Sequence, residues 1–248
     1  MELSILGSSS AGNCYVFHNE KEALIVECGV RFIEAKKAID FNVSKVVGCL
    51  ITHEHGDHCK YVNDVLDAVV PVYASAGTIE AMKPKIKGGR MPHAIKLGTI
   101  TEIGNFKVLA FRTKHDCADP VGFLILHSEM GVTLFATDTY YLPNKFDGLN
   151  NILIECNYRM DILQANVDAG KIPAALLNRT LQSHMSFDTC LSALMANDLT
   201  HVNNIVLIHL SDGNSNAHEF KQAVASATGK SVHIASPGMK INFNKTPF

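Results

Sequence analysis

The 248-residue chain contains no tryptophan and only 12 phenylalanines and 6 tyrosines, so aromatic surfaces for stacking are scarce. It has no excess of either charge. Lys and Arg number 22 against 24 Asp and Glu, a formal net charge of -2 with histidine neutral. A strongly basic balance would argue for nucleic acid on its own; here such a contact must rest on a local patch or on bound metals. No apolar run approaches the ~20 residues of a membrane helix. The opening Met1-Glu2-Leu3-Ser4 lacks the basic start and apolar stretch of a secretory signal. The seven cysteines, 14, 28, 49, 59, 117, 156 and 190, are odd in number and nowhere spaced C-x-x-C. That argues against a disulfide framework and for a reducing, cytoplasmic setting with no membrane partner. No linker or internal repeat divides the chain, so it reads as a single domain over 1–248.

What the chain does have is one dense cluster of metal-type side chains: Leu50-Ile51-Thr52-His53-Glu54-His55-Gly56-Asp57-His58. The apolar run 46–51 reads as a buried strand. It ends in three histidines and an aspartate, and imidazole and carboxylate are ligands that divalent transition metals prefer. His53 and His55, two apart on an extended segment, face one side. Asp57 and His58 turn the corner and face the opposite side of the same small space. Such an arrangement suits two ions rather than one. A purely structural role is hard to sustain, because clustered titratable groups lose solvation unless something binds them. Cys59 and Cys117, close to histidines, read as further ligands or as small core residues.

Along the chain, patterning predicts strands over 3–6, 15–18, 23–27, 70–73, 106–112, 121–127, 133–137, 152–155, 205–208 and 232–234. Helices are expected over 31–40, 59–68, 76–82, 161–168, 174–181, 187–196 and 216–228, with Ser186 as an N-cap. The tail from Asn244 reads as frayed. Three further strands end in metal-type residues, at His115, Asp138 and His209. Glu27 and Glu155 also close strands, where each could support the ligands. His184 stands just outside a helix N-terminus, where anions are favoured. The small-residue stretch 7–13, with Ser8 and Ser10, has two readings: a tight turn, or serines and backbone N–H groups that approach a phosphate. The basic stretch Lys83-Pro84-Lys85-Ile86-Lys87-Gly88-Gly89-Arg90 also has two, a solvated loop or a phosphate-contacting arm. Strands interleaved with helices, and polar groups gathered at one set of strand ends, imply an α/β fold of two packed sheets with helices outside.

The T-H-x-H-x-D-H string, with His115, Asp138 and His209 in that order, resembles the signature of the metallo-β-lactamase superfamily. Leu6-Gly7-Ser8-Ser9-Ser10-Ala11-Gly12-Asn13, His115-Asp116-Cys117-Ala118-Asp119-Pro120, Ala136-Thr137-Asp138-Thr139, Glu155-Cys156-Asn157, Ser183-His184-Met185-Ser186 and His209-Leu210-Ser211 resemble its YycJ-like (WalJ-like) branch. That branch is related to ribonuclease Z and the β-CASP nucleases. The resemblance implies an αββα sandwich with the site at one edge of the two sheets. It implies that His53, His55 and His115 hold one metal, that Asp57, His58 and His209 hold the other, and that Asp138 bridges them. His184 would serve the scissile phosphate or its leaving group; if His184 is instead the last ligand, it and His209 exchange roles. Asn157, Ser8 and Ser10 are candidate substrate contacts. Two divalent ions, zinc, manganese or iron, would share a hydroxide oriented by Asp57. The implied activity is phosphodiester hydrolysis, foremost as a DNA 5′-to-3′ exonuclease. The alternatives are a phosphodiesterase of cyclic nucleotides or RNA, a thioester or lactone hydrolase, and a metal-binding regulator without turnover. Oligomeric state is left open, a homodimer included. Glu27 stands where the family usually has Asp, and Tyr158 where the branch often has His. The chain also lacks the inserted domain of β-CASP nucleases and the long arm of ribonuclease Z, which suits a short or terminal substrate.

Overall fold

Side chains that point alternately to the two faces of each strand build the layers, and in the inner strands both faces are buried. In the second strand Tyr15 and Phe17 enter one apolar cluster while Cys14 and Val16 enter another on the opposite face. The computed structural model describes residues 1–246. Its first half runs β1 (Glu2–Ser9), β2 (Gly12–His18), β3 (Ala23–Val26), α1 (Phe32–Ala38), β4 (Val46–Leu50), α2 (Gly56–Cys59), α3 (Val62–Asp67), β5 (Val72–Ala74), α4 (Ala76–Met82) and β6 (His93–Ala94). There follow β7 (Ile100–Ile103), β8 (Phe106–Arg112), β9 (Val121–His127), β10 (Gly131–Ala136), β11 (Leu149–Glu155), α5 (Met160–Asp168), α6 (Ala174–Ser183) and α7 (Phe187–Met195). The chain closes with β12 (Asn204–Ile208), α8 (Ala217–Thr228), β13 (Ser231–Ile234) and β14 (Met239–Asn242).

The strands form two seven-stranded sheets, in the orders β14-β1-β2-β3-β4-β5-β6 and β13-β12-β11-β10-β9-β8-β7. Each is antiparallel on one side and parallel on the other; the parallel part runs from β3 to β6 in the first and from β10 to β13 in the second. Between the sheets lies a core of Leu3, Ile5, Tyr15, Phe17, Phe106, Phe123, Phe135, Val206 and their neighbours. Burying each large side chain contributes about 1.5–3 kcal/mol against the entropy of ordering it. On the outer faces, α1 and α3 cover the first sheet through Phe32, Val62 and Val65, and α7 and α8 cover the second through Cys190, Leu194, Phe220 and Val224. The architecture is therefore the expected helix–sheet–sheet–helix sandwich. No helix among the described residues is long and apolar enough to cross a membrane.

Ser186 caps α7 as expected, its hydroxyl accepting from the Thr189 N–H. Other expectations need correction. The stretch 7–13 does hold a tight turn, but not a loop of that length: β1 and β2 run through it and leave only Ser10 and Ala11 as a two-residue hairpin turn. The helix expected over 59–68 is broken, because the Tyr61 N–H turns aside to the Cys28 carbonyl. Strands β6, β7 and β14 were not legible in the patterning; β14 is set by its pairing with β1, Leu3 opposite Ile241. The tail is not frayed at Asn244 and Lys245. Asn244 Oδ1 accepts from the N-terminal ammonium at 3.2 Å, and the Lys245 N–H donates to the Glu129 carbonyl. The part of that expectation covering 247–248 lies outside the described residues.

Candidate metal centre

Six strand ends supply the site. Glu27 follows β3, residues 53–58 follow β4, His115 follows β8, Asp138 follows β10, Glu155 ends β11 and His209 follows β12. Three of these residues adopt left-handed backbone: Glu27 (φ 67), Asp138 (φ 46) and His209 (φ 53). Non-glycine residues pay ~1 kcal/mol or more for that conformation, and it clusters where side chains must be re-aimed at strand ends. The metal loop is clamped from behind. The Cys28 N–H donates to the His58 carbonyl at 2.8 Å and the Gly29 N–H to the Asn13 carbonyl at 2.9 Å.

The Asp138 carboxylate is the centre of the cluster. Its Oδ2 lies 3.3 Å from His58 Nε2, 3.5 Å from His115 Nε2 and 3.7 Å from His53 Nε2, and its Oδ1 lies 3.6 Å from His209 Nε2. Asp57 Oδ2 lies 3.2 Å from His58 Nε2 and 3.5 Å from His209 Nε2. His55 Nδ1 and His115 Nε2 approach to 3.1 Å. Ligand-type atoms thus gather in overlapping groups, within 4.8 Å of one another: His53, His55 and His115; Asp57, His58, Asp138 and His209; Asp138, Glu155, His184 and His209.

The hydrogen bonds behind these groups set the tautomers. Thr52 Oγ1 donates to Glu27 Oε1 at 2.5 Å, so it accepts from His53 Nδ1 at 2.9 Å. His53 Nε2 is then a bare lone pair, buried and without a hydrogen-bond partner among the described residues. His115 Nδ1 donates to the Ser183 carbonyl at 2.8 Å, which leaves its Nε2 lone pair facing His55. Lone pairs converging on one buried point are unfavourable unless a cation sits there. Burial, reinforced by the neighbouring His58, holds His53 well below the ordinary imidazole range. Burial likewise lowers His115. For Asp57, burial opposes the charged form, but hydrogen bonds with His209 and His58 outweigh it and hold the carboxyl far below its ordinary range. Two histidines held toward the neutral form beside a second cluster with two ionised carboxylates fit a pair of divalent ions.

A cavity of about 330 Å³ opens over this floor. His55, Asp57, His115, Asp138 and His209 line it together with His184, Asn157 and Ser10. His184 Nδ1 donates to Glu155 Oε1 at 2.7 Å, and Glu155 Oε2 accepts from the Thr139 and Met185 N–H groups. Burial works against protonated His184, but Glu155 overrides it and raises the imidazole to about 9. Of the candidate substrate contacts, Ser10 and Asn157 face the cavity. Ser8 does not: its hydroxyl accepts from the His209 N–H at 2.9 Å and from the Tyr15 hydroxyl at 2.8 Å, bracing a strand end. Cys59 is buried, its thiol raised to about 12 chiefly by burial and donating to the Glu54 carbonyl.

Sequence reasoning gave no role to Asn13. Its side-chain amide lies 3.3 Å from Asp57 Oδ2 and 3.2 Å from His58 Nε2, from a strand more than forty residues away. Arg179, Ser211 and Asn214 also line the cavity unanticipated. Arg179 is engaged by Asp116, Nε to Oδ2 3.2 Å.

A family model described as a beta-lactamase superfamily domain matches residues 24–210. The exodeoxyribonuclease YycJ of Bacillus anthracis is 28% identical over 229 residues, 87% of this chain and 84% of that protein. The exodeoxyribonuclease WalJ of Streptococcus pneumoniae is 25% identical over 224 residues, 86% of this chain and 82% of that protein. The metallo-β-lactamase-fold protein YhfI of Bacillus subtilis superposes with a TM-score of 0.72 at 16% identity, covering 97% of this chain and 98% of its own. The sandwich, the histidine and aspartate groups at its edge and the span of the family match lead to one conclusion: the chain belongs to the β-lactamase superfamily, as a metallo-hydrolase of the metallo-β-lactamase fold.

Proposed function

We propose that this protein is a metal-dependent phosphodiesterase that removes nucleotides from the 5′ end of DNA. The observation that carries the reading is His184, held by Glu155 at 2.7 Å and facing the same cavity as the two ligand groups. An acid placed beside a dinuclear centre suits a leaving alkoxide. The exodeoxyribonuclease names of two relatives aligned over most of the chain support DNA as the substrate.

In this reading His53, His55 and His115 would hold one metal, Asp57, His58 and His209 the other, and Asp138 would lie between them. Bound zinc or manganese would supply Lewis acidity, lowering the pKa of water toward ~7 and offsetting phosphate charge. Asp57, partly exposed on the cavity floor, orients the attacking water in line with phosphorus and takes its proton as the new P–O bond forms and the bond to the departing oxygen breaks. His184, charged by its contact with Glu155, gives its Nε2 proton to the departing oxygen. Asn157 and Ser10 offer polar contacts from the cavity wall. Thr52 and Glu27 hold the His53 ring so that its Nε2 faces the centre.

The test is a time course on DNA labelled at its 5′ end, single- and double-stranded, with manganese or zinc and an Asp57→Ala control. Early release of labelled mononucleotide, lost by several orders of magnitude in the control, is expected. Intact DNA alongside hydrolysis of a cyclic nucleotide or of RNA would replace the substrate in this reading.

A further inference from the structure

The densest run of positive charge in the sequence lies beside this site. Lys83–Lys85 forms a short 3-10 turn after α4, and Lys83, Lys85, Lys87 and Arg90 are all exposed. Three contacts fix the turn in place. Asn63 of α3 donates through Nδ2 to the Lys85 carbonyl at 3.0 Å and accepts from the Lys87 N–H at 2.7 Å. The Lys85 ammonium reaches the carbonyl of Glu54 at 3.5 Å, and Glu54 lies between His53 and His55. Lys83 is paired with Glu80 at 3.4 Å, whereas Lys85, Lys87 and Arg90 have no carboxylate partner among the described residues. The carboxylate of Glu54 is turned to the Ala118 N–H, at 2.8 Å. Three exposed cations thus stand near the residue before His55 although the whole chain carries a net charge of -2.

Three cations within six residues repel one another, and apart from the Lys85 contact with the Glu54 carbonyl no carboxylate among the described residues offsets them. They gain from a polyanion, because each phosphate contact releases condensed counterions. Over residues 85–90 the chain can reach at most ~17 Å, enough to meet more than one phosphate of a strand. The cavity itself is small, about 330 Å³, and has room for the reacting nucleotide rather than for a length of polymer. The remainder of a strand must leave across the rim; His55 on that rim follows Glu54, whose carbonyl the Lys85 ammonium reaches.

We infer that the 83–90 turn is the track for the rest of a single-stranded DNA substrate, with Lys85, Lys87 and Arg90 on its backbone phosphates. This rests on the exonuclease reading and adds to it where the polymer lies. The test compares the manganese-loaded full chain with a Lys85→Gln, Lys87→Gln, Arg90→Gln variant. Substrates run from a dinucleotide to a strand of about 16 nucleotides, the upper end of common single-strand site sizes. All three side chains are exposed, and the same three positions changed to Lys85→Arg, Lys87→Arg and Arg90→Lys serve as a charge-keeping control for folding.

For the long strand, KM of the glutamine variant should rise on the order of tenfold or more, and the slope of log KM against log salt should fall by about two. The defect should shrink as the substrate shortens, and the charge-keeping variant should behave as wild type. A defect equal at every length, or none in KM and salt slope while wild type digests DNA, overturns the track alone. Wild-type protein that hydrolyses a small aryl phosphodiester but leaves DNA of every length intact overturns the exonuclease reading, and the track with it.

Discussion

His184 has two distinct attachments, and they separate its chemistry from its surroundings. Through Nδ1 it is fixed to a fully buried carboxylate, Glu155, and its ring stacks on that of His209 at 5.3 Å. The group of His53, His55 and His115 does not include His184, whose ring meets, of these three, only that of His115, edge-on at 5.5 Å. His184→Ala should therefore keep the wild-type metal content, read by elemental analysis, while kcat on a phosphodiester falls roughly 10²–10⁴-fold, the usual share of a general acid. Full activity in that variant would remove His184 from the mechanism. A fall in kcat together with lost metal would instead make it a ligand, the exchange with His209 that the sequence leaves open. Asp138 is the opposite case. It lies within 3.7 Å of four histidines from three different strand ends, so its replacement should disturb both clusters at once.

At the scale of elements, the metal loop depends on how closely the end of β3 approaches the start of α2. A Cβ on Gly29 would lie 1.6 Å from the Asp57 carbonyl oxygen and 2.4 Å from its carbon, both backbone atoms that cannot swing aside. Gly29→Ala should force α2 outward, with an overpacking cost on the order of 1–3 kcal/mol. At about 2–4 °C per kcal/mol for a chain of this size, Tm should drop measurably. Metal stoichiometry should fall with it. Gly56→Ala is the control: it sits at the first position of the same short helix, but its added Cβ meets nothing within 4 Å, so Tm and metal content should stay near wild type. The contrast shows what was legible in the sequence. His115, Asp138 and His209 could be picked out because apolar runs stop abruptly at residues of a different chemistry. The approach of Gly29 to Asp57, the reach of Asn13 across to Asp57 and His58, and the diversion of Ser8 to the His209 N–H could not. Each depends on a contact between segments far apart in sequence, and a small polar residue looks the same whether it turns a loop or braces a ligand.

At the scale of the whole molecule, the site exists only while the two sheets keep their relation, since His53, His55 and Asp57 hang from the first and His115, Asp138 and His209 from the second. The layers were legible because apolar runs recur along the chain with helices between them; what locks them together at the end opposite the site was not. Glu22, in the β2–β3 turn of the first sheet, is 5% exposed and bridges to the second. Its Oε2 accepts from the Asn105 N–H at 3.0 Å and its Oε1 from Asn105 Nδ2 at 2.7 Å, in the β7–β8 turn. His127 of β9 adds a third contact at 3.1 Å. The Glu129 N–H donates to His127 Nδ1, so the His127 Nε2–H is the donor to Glu22. Burial works against charged Glu22, but the Asn105 hydrogen bonds and His127 outweigh it and lower the carboxyl from its ordinary value. A carboxyl lowered in the folded state stabilises above its unfolded pKa, ~4.3 for glutamate, and loses that contribution as pH falls through its own lower value. Glu22→Ala should cost about 1–3 kcal/mol at neutral pH, because it leaves the Asn105 and His127 donors unpaired. The stability gap between wild type and Glu22→Gln, followed by urea unfolding, should be full above about pH 5 and narrow steadily below pH ~4. A gap that stayed constant across that window would show that Glu22 braces the sheets by shape alone and that its charge contributes nothing.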